Sequence, residues 1–237
     1  MHEATLPIES THVYPLLRGE DVTRFKATPK EYVVVPHSAS SPAAPIAFTK
    51  LPKLTREFLA EFRPVLSNRK KFRNFDPSSS DWHGLYSVLL ATFSPFKVVW
   101  REMASGSGVI AAAVGASGLP DGTNKVLMPD HKLAIIPCET ETEADYIAAF
   151  LNSQVTNLIV RSYAVATGIS THILDRVAVP RFSPKNKLHR DLASLGKKAR
   201  LSDLAKDEEI AVSFIAAELL GLTQKEASTV VRELAKL

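Results

Sequence analysis

Lys50, Lys53, Arg56, Arg63, Arg69, Lys70, Lys71 and Arg73 fall within one stretch of the chain, offset there only by Glu57 and Glu61. Cations gathered on one surface are what phosphate contacts require, because each displaces condensed counterions from a nucleic acid. A solvated helix face has the same composition. Reading a base sequence needs a second set of groups that reach base edges. Loops are their natural source, and four stand out: residues 78–83, 105–108, 115–125 and 167–172. Asn124, Lys125, Ser170 and His172 within them carry suitable donors and acceptors.

Other reactive side chains give weaker patterns. Asp130 follows Pro129, as in some metal-dependent nucleases, but such a site needs a second acid and a lysine two residues on to gather a cation and polarise water. The chain offers Asp130-His131-Lys132 instead, with no acid-x-lysine on the strand that follows, so a turn that starts a strand at Lys132 is the preferred reading. Cys138 ends an apolar run and precedes Glu139, Glu141 and Glu143. That setting suits a buried thiol and opposes a reactive thiolate. The histidines are scattered, with no two at helical ligand spacing, so neither metal nor cofactor is assigned. In Lys97 to Met103, strand alternation sends Val98 and Trp100 one way, Val99 and Arg101 the other. The structural reading is a core Trp beside an Arg–Glu pair; the functional reading puts Lys97 or Arg101 at a DNA surface.

The elements that must position these groups follow from periodicity. Asp21 is a possible cap after the turn at Gly19. Tyr32 to Val35 reads as a strand stopped by Pro36, and His37 to Pro45 as loop. Lys53 to Asn74 reads as a helix with Leu54, Phe58, Phe62 and Leu66 on one face, bent or broken at Pro64. Tyr86 to Phe93, Lys97 to Met103, Val109 to Val114 and Lys132 to Pro137 read as strands. Ser105 to Gly108 suits a hairpin and Gly115 to Asn124 a loop, giving an antiparallel meander. Helices follow at Glu141 to Asn152, capped by Thr140 with Glu143, and at Thr156 to Ala166. A short strand is expected at Val177 to Val179, then a basic helix at Lys187 to Arg200. Glu208 to Leu220 and Gln224 to Leu237 form a helical pair, with Thr223 and Glu226 as a capping box. The fold class is therefore α/β in the α+β sense: a mainly antiparallel sheet, flanking helices and a C-terminal helical hairpin. The division expected is 1–202 for the α/β domain and 203–237 for the hairpin.

The 237 residues, 45% of them hydrophobic and 23% charged, suffice for a sizeable core. A net charge of +4 is compatible with a nucleic-acid partner. The single cysteine excludes an internal disulfide and fits a reducing cytoplasm. No run is long and apolar enough to span a membrane, and no secretory signal is visible at the N-terminus.

The order of four segments carries a resemblance. PLLRGEDVTRF (Pro15 to Phe25), KVVWREM (Lys97 to Met103), PDHKLAIIPC (Pro129 to Cys138) and ADYIAAFLNS (Ala144 to Ser153), with RVAVPRF beyond Thr167-Gly168, resemble the TaqI-like target-recognition half of adenine-specific DNA methyltransferases and type IIG restriction-modification enzymes. The similarity spans about Pro15 to Arg200. It implies that the chain recognises duplex DNA, is not itself an enzyme, and partners a methyltransferase catalytic domain or subunit. The glycine-rich methyl-donor turn and the Asn/Asp-Pro-Pro-aromatic motif of that catalytic half do not occur here. The expected DNA-binding residues are Arg63, Arg69, Lys70, Lys71, Arg73, Lys97, Arg101, Asn124, Lys125, Ser170 and His172. The rival reading is a protein-interaction or scaffold module without DNA reading.

Overall fold

The run Phe96–Arg101 forms strand β3, whose β-branched and aromatic residues suit a pleated surface covered on both sides. The computed structural model describes residues 5–69, 81–102, 108–163 and 176–234. In it, β3 lies between β4 (Ala111–Val114) and β8 (Leu133–Cys138), antiparallel to both. A second sheet centres on β1 (Val13–Leu17), antiparallel to β2 (Glu31–Val34) and parallel to β7 (Met128–Pro129). Among the described residues, strands β5 (Ala116–Gly118) and β6 (Asn124–Val126) form a two-stranded ribbon.

Alternation along β3 divides the interior as expected. Val98 and Trp100 join the main core with Tyr146, Phe150, Leu192, Val212 and Ala216. Val99 points into a second core with Leu17, Val22, Leu127 and Leu133. A third, smaller core gathers Leu51, Leu59 and Trp82 under α1 (Lys53–Glu61) and α2 (Arg63–Ser67). The main core is roofed by α3 (Glu141–Leu151), α4 (Gln154–Tyr163), α5 (Lys187–Leu201) and α6 (Lys206–Leu219), with α7 (Gln224–Leu234) against α4 and α6. This is an α+β fold with antiparallel-dominated sheets.

Helix starts follow local chemistry. The Thr140 hydroxyl accepts from Glu143 N at 3.1 Å, but the Glu143 carboxylate reaches Glu139 N rather than the cap itself. At α7 the reciprocal box forms: Thr223 Oγ1 accepts from Glu226 N, and Glu226 accepts from Thr223 N at 2.8 Å. Gly221, at φ +78°, makes the left-handed turn between α6 and α7. Val212 and Ala216 of α6 lie in the main core, so the hairpin is packed on the sheet-bearing part, with Lys26–Asp203 and Arg24–Glu209 ion pairs at the rim.

Several elements differ from the periodicity reading. Tyr86 to Phe93 is not a strand; Leu90–Phe93 is a 3-10 turn, its Thr92 hydroxyl accepting from Leu89 N. Gly115 to Asn124 is not a loop alone, because β5 and β6 pair across it. The meander is interrupted: β6 leads into β7, which leaves for β1, and β8 returns on the far side of β3. Val177 to Val179 pairs with no strand among the described residues and closes a tight turn instead, Val179 N donating to Val177 O. The long basic helix breaks at Phe62, where Pro64 sits in the first turn of α2, a position in which its missing N–H costs nothing.

Candidate nucleic-acid interface

The basic stretch is mounted on the small third core. The α1 N-terminus is held by the Glu9 carboxylate, which accepts from Leu54 N (2.9 Å), Thr55 N (2.6 Å) and Thr55 Oγ1 (2.8 Å). Thr55 and Leu59 face inward, while Lys53 and Arg63 stay exposed. The Arg63 guanidinium lies 5.1 Å from the centre of the Trp82 ring. A cation over an indole face is orientated without losing its charge, so Arg63 is preset for an anion.

Arg69 does different work. Its Nε donates to Leu66 O at 3.0 Å, and its Nη2 to Trp82 O at 2.7 Å and Gly84 O at 2.8 Å. It is a clamp between the end of α2 and the Trp82–Gly84 turn, which stand on either side of residues 70–80 in sequence. Lys70, Lys71 and Arg73 lie outside the described residues, as do Ser170 and His172.

Behind this module two imidazoles hold the turns together. His37 Nδ1 donates to Pro42 O and His37 Nε2 accepts from Leu85 N, each at 2.8 Å, a pattern only the neutral ring allows. Burial pushes the His37 pKa below its ordinary 6.5, and the nearby His83 pushes the same way. Burial also lowers His12 and His189. These rings take up protons at higher pH in the unfolded chain than in the folded one. Their contribution is therefore complete above about pH 6.5 and is lost as pH falls below it. The urea midpoint is expected to drop between pH 7.5 and pH 5.5; an unchanged midpoint would show that the buried rings carry no penalty for protonation.

Lys97 is a correction. It was expected at a DNA surface, but it is fully buried, donating to Thr92 O at 2.6 Å and Leu127 O at 2.9 Å. Strand parity sets it on the Val99 face, where the Leu90–Phe93 turn and Leu127, just before β7, supply its acceptors. Burial pushes its pKa down to about 8. Arg101, on the same face, donates from Nε to Gly19 O at 2.5 Å and ties the first motif segment to β3. Asn124 is exposed at the start of β6. Lys125 lies over the Tyr14 ring, 5.1 Å from its centre, and donates to Thr11 O. The structure thus brings Arg63 and Arg69 together at Trp82, sets Asn124 and Lys125 on the β5–β6 ribbon, and keeps Lys97 and Arg101 as internal ties.

Two of the four motif segments, those ending in Phe25 and carrying Asn152, converge on the open edge of β4. Asn152 Oδ1 accepts from Ala111 N at 3.2 Å, and Asn152 Nδ2 donates to Ala111 O (2.7 Å) and Ala148 O (2.8 Å). Phe25 N also donates to Ala111 O, and Asn157 Oδ1 accepts from Val109 N at 2.7 Å. These asparagines serve as a substitute strand, a role that sequence spacing did not reveal. Trp82 as a platform for Arg63 was missed for the same reason: the contact spans the residues between them in the folded chain, not on one helix.

Asp130 and Cys138 lie elsewhere in the fold. Asp130 Oδ1 accepts from Lys132 N at 2.9 Å, the turn before β8. Cys138 is buried, and burial pushes its thiol up to about 12. Among the described residues no group of three His, Cys, Asp or Glu side chains is placed to hold a metal, and no helix is long and apolar enough to cross a membrane. Compared with known proteins, the chain matches no protein-family model and no curated protein.

Proposed function

We propose that this chain recognises duplex DNA on behalf of an adenine-specific DNA methyltransferase or restriction-modification enzyme, with the chemistry carried by a separate catalytic portion. The observation that carries the reading is the exposed, ring-supported Arg63 on a module that also exposes Lys50 and Lys53 and has its own small core. Such cations contact the phosphate backbone, while Asn124 and the polar loops probe a groove. The target adenine would be flipped toward the catalytic partner. The resemblance of the four ordered segments supports the same reading.

The test is fluorescence anisotropy of a randomised duplex, repeated from low to physiological salt. Binding should weaken steeply with salt. Lys53→Gln with Arg63→Gln is expected to lower low-salt affinity about tenfold and to flatten the salt dependence by roughly two phosphate contacts, each worth about 0.9 in log–log slope. Absence of binding at low salt would sink the reading.

A second reading, a protein-docking module, is favoured by Leu89 and Leu90, adjacent and 59% and 66% exposed. Apolar side chains of that size left in water mark a contact surface when they cluster. A stable protein complex formed without any DNA affinity would select it.

A further inference from the structure

Helix α5 begins in a second basic cluster, remote in sequence from the first. Residues 181–190 contain Arg181, Lys185, Lys187 and Arg190 and no acid. All four are exposed. Resting on the DNA reading above, we infer that this cluster is a second phosphate-backbone contact, independent of the Arg63 module.

The cluster is held rigidly. Tyr146, fully buried, donates its hydroxyl to Pro180 O at 2.9 Å. Phe182 packs on the Tyr146 ring, and His189 stacks on the other two at 4.8 Å from Tyr146. His189 Nδ1 accepts from Ser183 N at 2.9 Å, and Asn186 caps the helix by accepting from Leu188 N. Arg190 Nη1 donates to Pro184 O at 2.8 Å, laying its guanidinium along the turn. An irregular segment pinned in this way presents its charges with little left to order on binding.

The electrostatics favour an anion. Cations at a helix N-terminus stand at the positive end of the backbone dipole, where acids are normally preferred. The first turns of α3, α6 and α7 carry acids; that of α5, like those of α1, α2 and α4, has none. Lys187 and Arg190 are three apart and so are neighbours on the helix surface, where like charges repel. Among the described residues only Lys187 of the four has a carboxylate partner, Asp191 at 2.5 Å, and that pair is solvent-exposed. Arg181 and Lys185 have no ion pair among the described residues. A phosphate backbone, with charges repeated along its length, can meet all four cations together.

The experiment uses the full chain with Arg181, Lys185, Lys187 and Arg190 changed to Gln, against Lys206→Gln with Lys225→Gln as a control that removes charge elsewhere. Duplex binding is followed by anisotropy across salt. The four-site variant should lose at least about tenfold in low-salt affinity and flatten the log–log salt slope by about two or more. The control should leave the slope nearly unchanged. The four-site variant should keep the wild-type circular dichroism and a cooperative thermal transition, which separates lost contacts from lost folding. Wild-type binding with an unchanged slope in the four-site variant overturns this inference alone. No wild-type binding overturns the DNA reading and this inference with it. An equal loss in the control shows a net-charge effect and overturns the local contact.

Discussion

Gly196→Ala is expected to cost about 3 kcal/mol or more of stability, against the usual direction of a glycine-to-alanine change in a helix. A Cβ built on Gly196 would stand 2.2 Å from Asp145 O, 2.9 Å from the Asp145 carbonyl carbon and 3.1 Å from Ala149 Cβ. Two of these atoms are backbone of α3 and have no rotamer in which to escape. Helix α5 would have to lift from α3, opening a contact that Ala148, Ala149, Leu192, Ala193 and Ala199 line in the main core. It would also strain the ion pair beside it, where Arg200 Nε meets Asp145 Oδ1 at 2.8 Å with Asp145 buried. Helix propensity alone would make the alanine variant more stable by about 1 kcal/mol. The sign of the shift in urea midpoint therefore decides the matter, and a stabilised variant would refute the close approach of the two helices.

Asn152→Ala should be nearly as damaging, costing about 2–4 kcal/mol. The side chain is fully buried and makes both halves of a strand-like pairing with Ala111. Ala111 O would keep the Phe25 N–H, but Ala111 N would be left buried without its acceptor. An orphaned buried donor costs its whole desolvation energy, not the modest net worth of one bond. The Arg24 contact to Asn152 O, at 3.2 Å, uses the main chain and should survive. Two readouts test this: the urea midpoint should fall, and the Ala111 amide should exchange with solvent much faster than in wild type. Unchanged protection at Ala111 would show that the edge of β4 is closed by something other than this amide.

These two residues also show where sequence reasoning reaches and where it stops. Val98, Val99, Trp100 and Arg101 were placed on their correct faces from alternation alone, because a strand repeats every two residues whatever it packs against. The Thr223–Glu226 box and the turn at Asp130 were equally legible, since both are closed within a few residues. Lys97 shows the limit. Its parity was readable, but whether that face met water or the chain beside β7 depended on Thr92 and Leu127, brought there by topology. The same holds for β7, whose parallel pairing with β1 joins residues far apart in the chain.

By itself, then, the amino-acid sequence determined the α+β class, most helices, the caps at Thr140 and Thr223, the faces of β3 and the basic character of the stretch around α1. Each depends on composition or on a period of a few residues. Tertiary structure alone decided that Lys97 is internal, that Arg63 rests on Trp82, that Asn152 completes a sheet edge and that Gly196 admits no side chain. Those outcomes turn on which distant segment fills the space next to a residue, and no local period encodes that.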